Sequence, residues 1–298
     1  MIVFKEAGSV GSTQSTFVQV IPDTGWYEDF QLVTSYATNG SNVWTWTAPS
    51  KGLIYLSGCS GGGGGGAGSN NGASAGAGGS GGASGNCLLN LRFPIAAGQS
   101  LKITLGAKGT GGVAGGASAT AGGATIIEHS GLAQGQSLTQ DGGTIGNNAR
   151  WYIIGGTHGN AASGGTGGTA PGNGMQAADL AQQYSITAIF RLSGAAGGNA
   201  GANGSSGVYN SALSGTSPAY GGAGGAAQDG AGGGGAGRLS LFGPGCTGGA
   251  GHAAGNSPSY GYGGSGSGGG GNSAGNSNAG NGGDGSPGYV EFLFYPSS

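Results

Sequence analysis

The sequence predicts a β-rich protein in which a small antiparallel β base carries a packed bundle of about ten polyglycine II helices, with little α-helix. Three observations predict it. Gly61 to Gly66 are six consecutive glycines entered directly from the apolar stretch Leu53-Ile54-Tyr55-Leu56-Ser57-Gly58-Cys59. Comparable runs recur at 106–124, 142–174, 194–207, 221–237 and 243–285, separated by segments of ordinary composition. Glycine also falls into local triplets, as in Gly164-Gly165-Thr166-Gly167-Gly168-Thr169 and Gly221-Gly222-Ala223-Gly224-Gly225-Ala226.

The chain holds 80 glycines and 9 prolines in 298 residues, a share at which a sequence without a strict period is commonly disordered. Glycine loses more conformational freedom on ordering than any other residue. A run of it is therefore a flexible tether or a place where backbones pack closer than a Cβ allows. Apolar segments set between the runs favour the second. Collagen is excluded, because glycine does not hold every third position over any long stretch and proline is scarce. Extended glycine forms a left-handed threefold helix rising about 3.1 Å per residue with no internal hydrogen bonds, so every N–H and C=O must find a neighbour. Ordering costs about 1 to 2 kcal/mol per residue, and apolar strands must anchor the ends.

In chain order, residues 1–42 form an N-terminal attachment segment of short β pieces. Phe17-Val18-Gln19-Val20-Ile21 is followed by a Pro22-Asp23-Thr24-Gly25 turn and by Trp26-Tyr27-Glu28-Asp29-Phe30. Trp26, Tyr27 and Phe30 are core residues or a docking surface for another chain. Residues 43–298 are a β base (43–59, 86–105 and 286–298) with a glycine-rich module inserted at about 58–285. Val43-Trp44-Thr45-Trp46-Thr47 alternates as a strand. Residues 87–93 and 101–105 read as a hairpin-like pair joined through Pro94 to Gln99. Met175 to Phe190 is the one helix-compatible stretch. Tyr289-Val290-Glu291-Phe292-Leu293-Phe294-Tyr295 is an apolar strand expected to close the sheet beside the first.

If each run crosses the module once, turns alternate between a far end and a sheet end. The far turns are then Ser69 to Ser74, Val113 to Ala121, Asn147 to Ile153, Ser205 to Tyr220 and Asn256 to Tyr262. The sheet-end segments are 86–105, 125–141, 171–193, 238–246 and 286–295. Aliphatic clusters such as Ile126-Ile127, Leu239 to Phe242 and Phe292 to Phe294 gather at the sheet end. The far end collects Asn70, Asn71, Asn148, Trp151, Tyr152, Tyr209, Asn210, Tyr220, Tyr260 and Tyr262.

Charge and reactive side chains narrow the chemistry. Only 6% of residues are charged and the net charge is -2, so no basic stripe exists to bind nucleic acid or an anionic membrane. Met1 to Glu6 lacks the basic flank and apolar run of a signal peptide, and no stretch is long enough to span a bilayer, so synthesis in the cytosol is expected. Cys59, Cys87 and Cys246 lack metal spacing and read as small buried thiols; Cys59 and Cys87 flank the first glycine run. His129, His158 and His252 have no ligand partners in sequence. Asp141, Asp179, Asp229 and Asp284 form no acid–base pair. No Gly-Lys-Ser or Gly-Lys-Thr follows a run, so the glycines are not phosphate cradles. Neither catalysis, nor a cofactor, nor a metal is expected.

The segment Trp44-Thr45-Trp46-Thr47-Ala48-Pro49, the strand at 53–59 running into Gly61 to Gly66, and glycine blocks interrupted by unlike segments resemble the adhesins at the tips of bacteriophage long tail fibres. In that family the recognition domain is a sandwich of polyglycine II helices. The resemblance covers residues 44–295. It implies that the far-end segments bind a receptor on the bacterial surface, an outer-membrane protein or a glycan, and that the other end joins a fibre shaft or another tail protein on the virion. Stiff amphipathic Tyr and Trp side chains suit such a contact. An ice-binding protein with a flat Thr/Ala face, or a passive glycine-rich structural protein, is the alternative.

Overall fold

The computed structural model describes residues 31–36, 43–130, 150–153, 155–168, 188–190, 197–205, 229–237, 240, 242–275 and 278–297. Its strands are β1 (Gln31–Tyr36), β2 (Val43–Thr47), β3 (Gly52–Cys59), β4 (Cys87–Ile95), β5 (Ser100–Thr104), β6 (Thr125–His129), β7 (Arg150–Ile153), β8 (Ala188–Phe190) and β9 (Tyr289–Pro296). They form two antiparallel sheets, in the orders β1-β9-β3-β4-β8 and β2-β5-β6-β7. No helix occurs among the described residues. The stretch 175–187 lies outside them.

Alternation decides how the sheets meet. Every second residue of β3 and β9 turns inward, burying Ile54, Leu56, Val290, Phe292 and Phe294. Leu101 and Ile103 of β5, Ile127 of β6 and Ile153 of β7 join them in one cluster, against which Trp44 and Trp46 pack. The Trp46 ring meets Phe292 and Phe294 edge-on at 5.1 Å each. A strand with one buried face wants a second sheet over it, and this explains one departure from expectation. The segments 87–95 and 100–104 do not pair with each other: β4 bonds to β3 and β8, and β5 to β2 and β6. The turn at 96–99 is a corner between sheets, with Gly98 at φ 77. As expected, the last strand lies beside the first, β9 pairing with both β1 and β3.

The glycine runs hold together differently. Gly61 and Gly64 donate backbone N–H bonds to Gly123 and Thr120; Gly62, Gly65 and Gly68 to Ser286, Gly283 and Gly280; Gly63, Gly66 and Ser69 to Ala83, Ser80 and Ala77. The carbonyls accept with the same period of three. Those of Gly61, Gly64 and Ala67 take Gly156, Gly159 and Ala162; those of Gly62 and Gly65 take Gly109 and Gly112; those of Gly63, Gly66 and Ser69 take Gly266, Gly269 and Asn272. Run 61–69 thus has six neighbours, donating to three antiparallel segments and accepting from three parallel ones. Run 263–272 also has six: 61–69, 76–85, 231–237, 246–252, 253–257 and 279–286. The glycines are demanded by proximity. A Cβ at Gly62, Gly64, Gly65 or Gly66 would run into the carbonyl oxygen of Gly264, Thr110, Ser267 or Asn160 respectively.

The same ladders fix where each pass reverses, and they correct the single-crossing layout. Turns at 70–75, 113–117, 163–166, 199–202, 251–252 and 273–275 lie at the end remote from the sheets. Asn147 to Ile153 was expected there, but β7 pairs with β6 in the four-stranded sheet. Asn256 to Tyr262 was also expected there, but Tyr262 donates to Phe242 O and stacks on Tyr289 of β9 at 4.7 Å. The physical reason differs between the two cases. The aromatics at 151–152 continue an alternating strand. The block 243–285 contains three reversals, at His252 (φ 65), at 258–262 by the sheets (Gly261 φ 77) and at Gly275 (φ 83), which divide it into four short passes where the single-crossing layout has two.

Candidate functional site

The remote turns are tied to one another by asparagine side chains reading backbone groups of the next loop. Asn272 Oδ1 accepts the Asn71 N–H at 2.9 Å, while its Nδ2 donates to Gly72 O at 3.3 Å, to Ser74 O at 3.4 Å and to Ser273 O at 3.1 Å. Asn70 Oδ1 accepts the Ala279 N–H at 2.7 Å, and Asn281 Oδ1 the Ala114 N–H at 2.9 Å. Asn199 Oδ1 takes the Gly167 N–H at 2.9 Å. An amide offers donor and acceptor together, so one side chain satisfies two frayed ends where the three-residue ladders run out. The surface these turns present is therefore preformed.

Charged groups are few at this end and lie along its flank. Lys108 Nζ stands 2.7 Å from Asp284 Oδ2, and Gly111 N–H donates to Asp284 Oδ1 at 2.8 Å. Partial burial pushes the Asp284 carboxyl up. The Lys108 and Gly111 hydrogen bonds outweigh this and hold it below the ordinary carboxylate range. His252 Nε2 lies 4.0 Å from Asp229 Oδ2, and its Nδ1 faces the Ser273 N–H at 3.3 Å.

Of the receptor-contact candidates, the structure places Asn70 and Asn71 together at the remote turns. Trp151 and Tyr152 sit in β7 at the sheet end. Tyr262 sits at the sheet end too, beside Phe242 and Tyr289, and Tyr260, 72% exposed, precedes it on the same turn. Asn148, Tyr209, Asn210 and Tyr220, and the attachment candidates Trp26, Tyr27 and Phe30, lie outside the described residues. Sequence reading missed Asn199, Asn272 and Asn281, the clamps, and Val113, whose side chain is exposed on the 113–117 turn. The available signal was an asparagine within a few residues of a reversal, as Asn199 is of Gly201 and Asn272 of Gly275.

The three cysteines are free buried thiols. Cys59 and Cys87 face each other across β3 and β4. Burial, reinforced by the Cys87 thiol, raises Cys59 well above the usual thiol range, and burial pushes Cys246 up to about 11. Neither is a poised nucleophile. Between segments 67–70, 112–119 and 158–164 the remote end holds an open cleft of about 400 Å³.

A family model described as a glycine-rich domain matches residues 37–295. No curated protein matches the chain.

Proposed function

The chain belongs to the glycine-rich domain family, and from that premise we propose that it is a receptor-binding adhesin of a bacteriophage tail fibre. In this reading the glycine passes are polyglycine II helices, and the remote turns meet an outer-membrane protein or surface glycan of the host. The observation that carries it is the arrangement of the passes. Segments bonded to six neighbours with a period of three make a stiff mount, and their reversals gather at one end, away from the two sheets. Loops already clamped by Asn70, Asn272 and Asn281 lose little further freedom on binding, and several copies per virion add avidity. The sheet end, with the segment that precedes it, joins the fibre. The protein works by binding, without catalysis or a cofactor.

The test is binding of the purified chain to a panel of bacterial strains. Substituting Ser74→Trp and Val113→Lys on the remote turns is expected to abolish binding with an unchanged melting curve. Tyr260→Ala at the sheet end is expected to leave it intact. Binding retained by the first variant, or lost with the second, would place the contact elsewhere.

One flank favours a second reading, ice binding. Thr110 and Thr120 are exposed side by side, hydroxyls 3.0 Å apart, next to exposed Ala107. Thermal hysteresis in dilute solution, lost on Thr110→Asp, is its signature.

A further inference from the structure

The cleft at the remote end is a place where the array stops one triplet short. Gly112 N–H donates to Gly65 O, and the chain then reverses, Val113 N–H donating to Ala117 O at 2.8 Å. Its neighbours run further. Ala162 N–H donates to Ala67 O, and Ser69 Oγ to Gly164 O. The bonds that should cross the gap are missing. Gly61 and Gly64 donate to Gly123 and Thr120, but the next donor of that series, Ala67 N–H, meets no acceptor among the described residues, although Ala67 is 3% exposed. Gly122 donates to Gly156 O, but Ala119 N–H, three residues earlier, likewise meets none. Gly159 O, the counterpart of Gly156 O, faces only a ring nitrogen of His158 at 3.2 Å among the described residues.

Ala67, Ala119 and Gly159 all line the cleft, with Asn70, Ser118 and Val113. Water bonds these groups in the open cleft, so an occupant that displaces it must bond them in its place or leave an unpaired amide costing about 1 to 3 kcal/mol. Among the described residues no Asp, Glu, Lys or Arg lines the cleft, which leaves no charge there to match in a ligand. Glycine and alanine walls with Val113 at the rim suit C–H surfaces, and amide, hydroxyl and imidazole groups suit hydroxyls. Its volume falls within the range of small-ligand sites, about 300 to 1,000 Å³. We propose that this cleft binds a neutral pyranose sugar, whose adjacent hydroxyls each donate and accept and so answer two N–H groups and a carbonyl at once. A peptide fits less well, since only a side-chain-free strand could take the missing thread's place. The proposal deepens the adhesin reading by naming the ligand class and rests on it for the biological source of the sugar; the chemistry is measured without cells.

The test titrates the intact protein, with amide resonances observed by NMR, against methyl glucoside, methyl galactoside, methyl mannoside and N-acetylglucosamine. Glucuronate and triglycine are the comparison probes. Saturable shifts of the Ala67 and Ala119 amides with at least one neutral sugar are expected at or below about 50 mM, the weak range of a single-residue contact. Ser118→Trp, which fills the cleft from an exposed position, is expected to weaken that binding at least tenfold while the remaining amide spectrum is unchanged. His158→Ala, at the other wall, should weaken it in the same direction. No shift with any neutral sugar, equal shifts with glucuronate, or shifts only with triglycine would overturn the proposal. Cell binding separates the two readings. Adsorption intact without sugar binding removes the cleft alone, whereas sugar binding without adsorption to any strain removes the adhesin.

Discussion

Leu56 and Gly65 lie nine residues apart on one continuous stretch, and both are buried, yet what surrounds them has nothing in common. Leu56 belongs to a cluster of aliphatic and aromatic side chains between two sheets. Gly65 is enclosed by peptide groups of other passes, its N–H on Gly283 O and its carbonyl on Gly112 N–H. One region is held by removing apolar surface from water, which tolerates changes of shape. The other is held by hydrogen bonds whose geometry admits no extra atom. Stability thus depends on size in the base and on absence of size in the array.

That contrast is sharpest for substitutions that add or remove carbon. Gly65→Ala is expected to cost more than about 4 kcal/mol, because its Cβ falls on the Ser267 carbonyl, a backbone atom that cannot swing aside. Calorimetry would check it, and a melting point within a few degrees of the parent would break the comparison. Leu56→Ala should cost about 2 to 5 kcal/mol by leaving a cavity between the sheets, measured by denaturant unfolding. Asn272→Ala should cost about 1 to 3 kcal/mol by orphaning the Asn71 N–H and the carbonyls of the 72–74 turn. Faster hydrogen exchange confined to the remote turns is the expected readout. The smallest effect is that of pH. The Asp284 carboxyl titrates below its ordinary value when folded, so its contribution is present above the unfolded carboxylate pKa of about 3.9 and fades as pH falls through the lower folded value. Protection of the Gly111 amide, its exchange rate taken against the intrinsic rate at each pH, should fall below about pH 4 and stay flat above it. In Asp284→Asn that step should vanish.

The base was legible because period-two alternation is a local signal. Val43 to Thr47, the strand after Gly52 and the strand from Tyr289 were all readable from which residues alternate. Pairing was less so. Nothing in Cys87 to Thr104 distinguishes two strands of one hairpin from two strands in facing sheets, since both bury every second side chain. In the array, the need for close-packed backbones follows from Gly61 to Gly66 together with the apolar segments between the runs, whereas the number of passes does not. Glycine serves equally as thread and as reversal. The short passes on either side of His252 and Gly275 therefore merge into one block until the ladders separate them. The candidate site shared that fate. Asn70 and Asn71 lie at a reversal that an asparagine pair announces, but Trp151 and Tyr262, assigned to the remote end for their rings, follow strand and stacking logic at the other.

Two neighbouring stretches of chain occupy the middle of both regions. Run 263–272 is bonded on six sides, and β9 lies between β1 and β3. The passes and strands around them come from segments far away in sequence, so residues 263–296 are the piece on which both regions close. Contacts between such sequence-distant segments make closure slow. A cut in the backbone near residue 262 that let this piece come away would therefore open the array and the five-stranded sheet together.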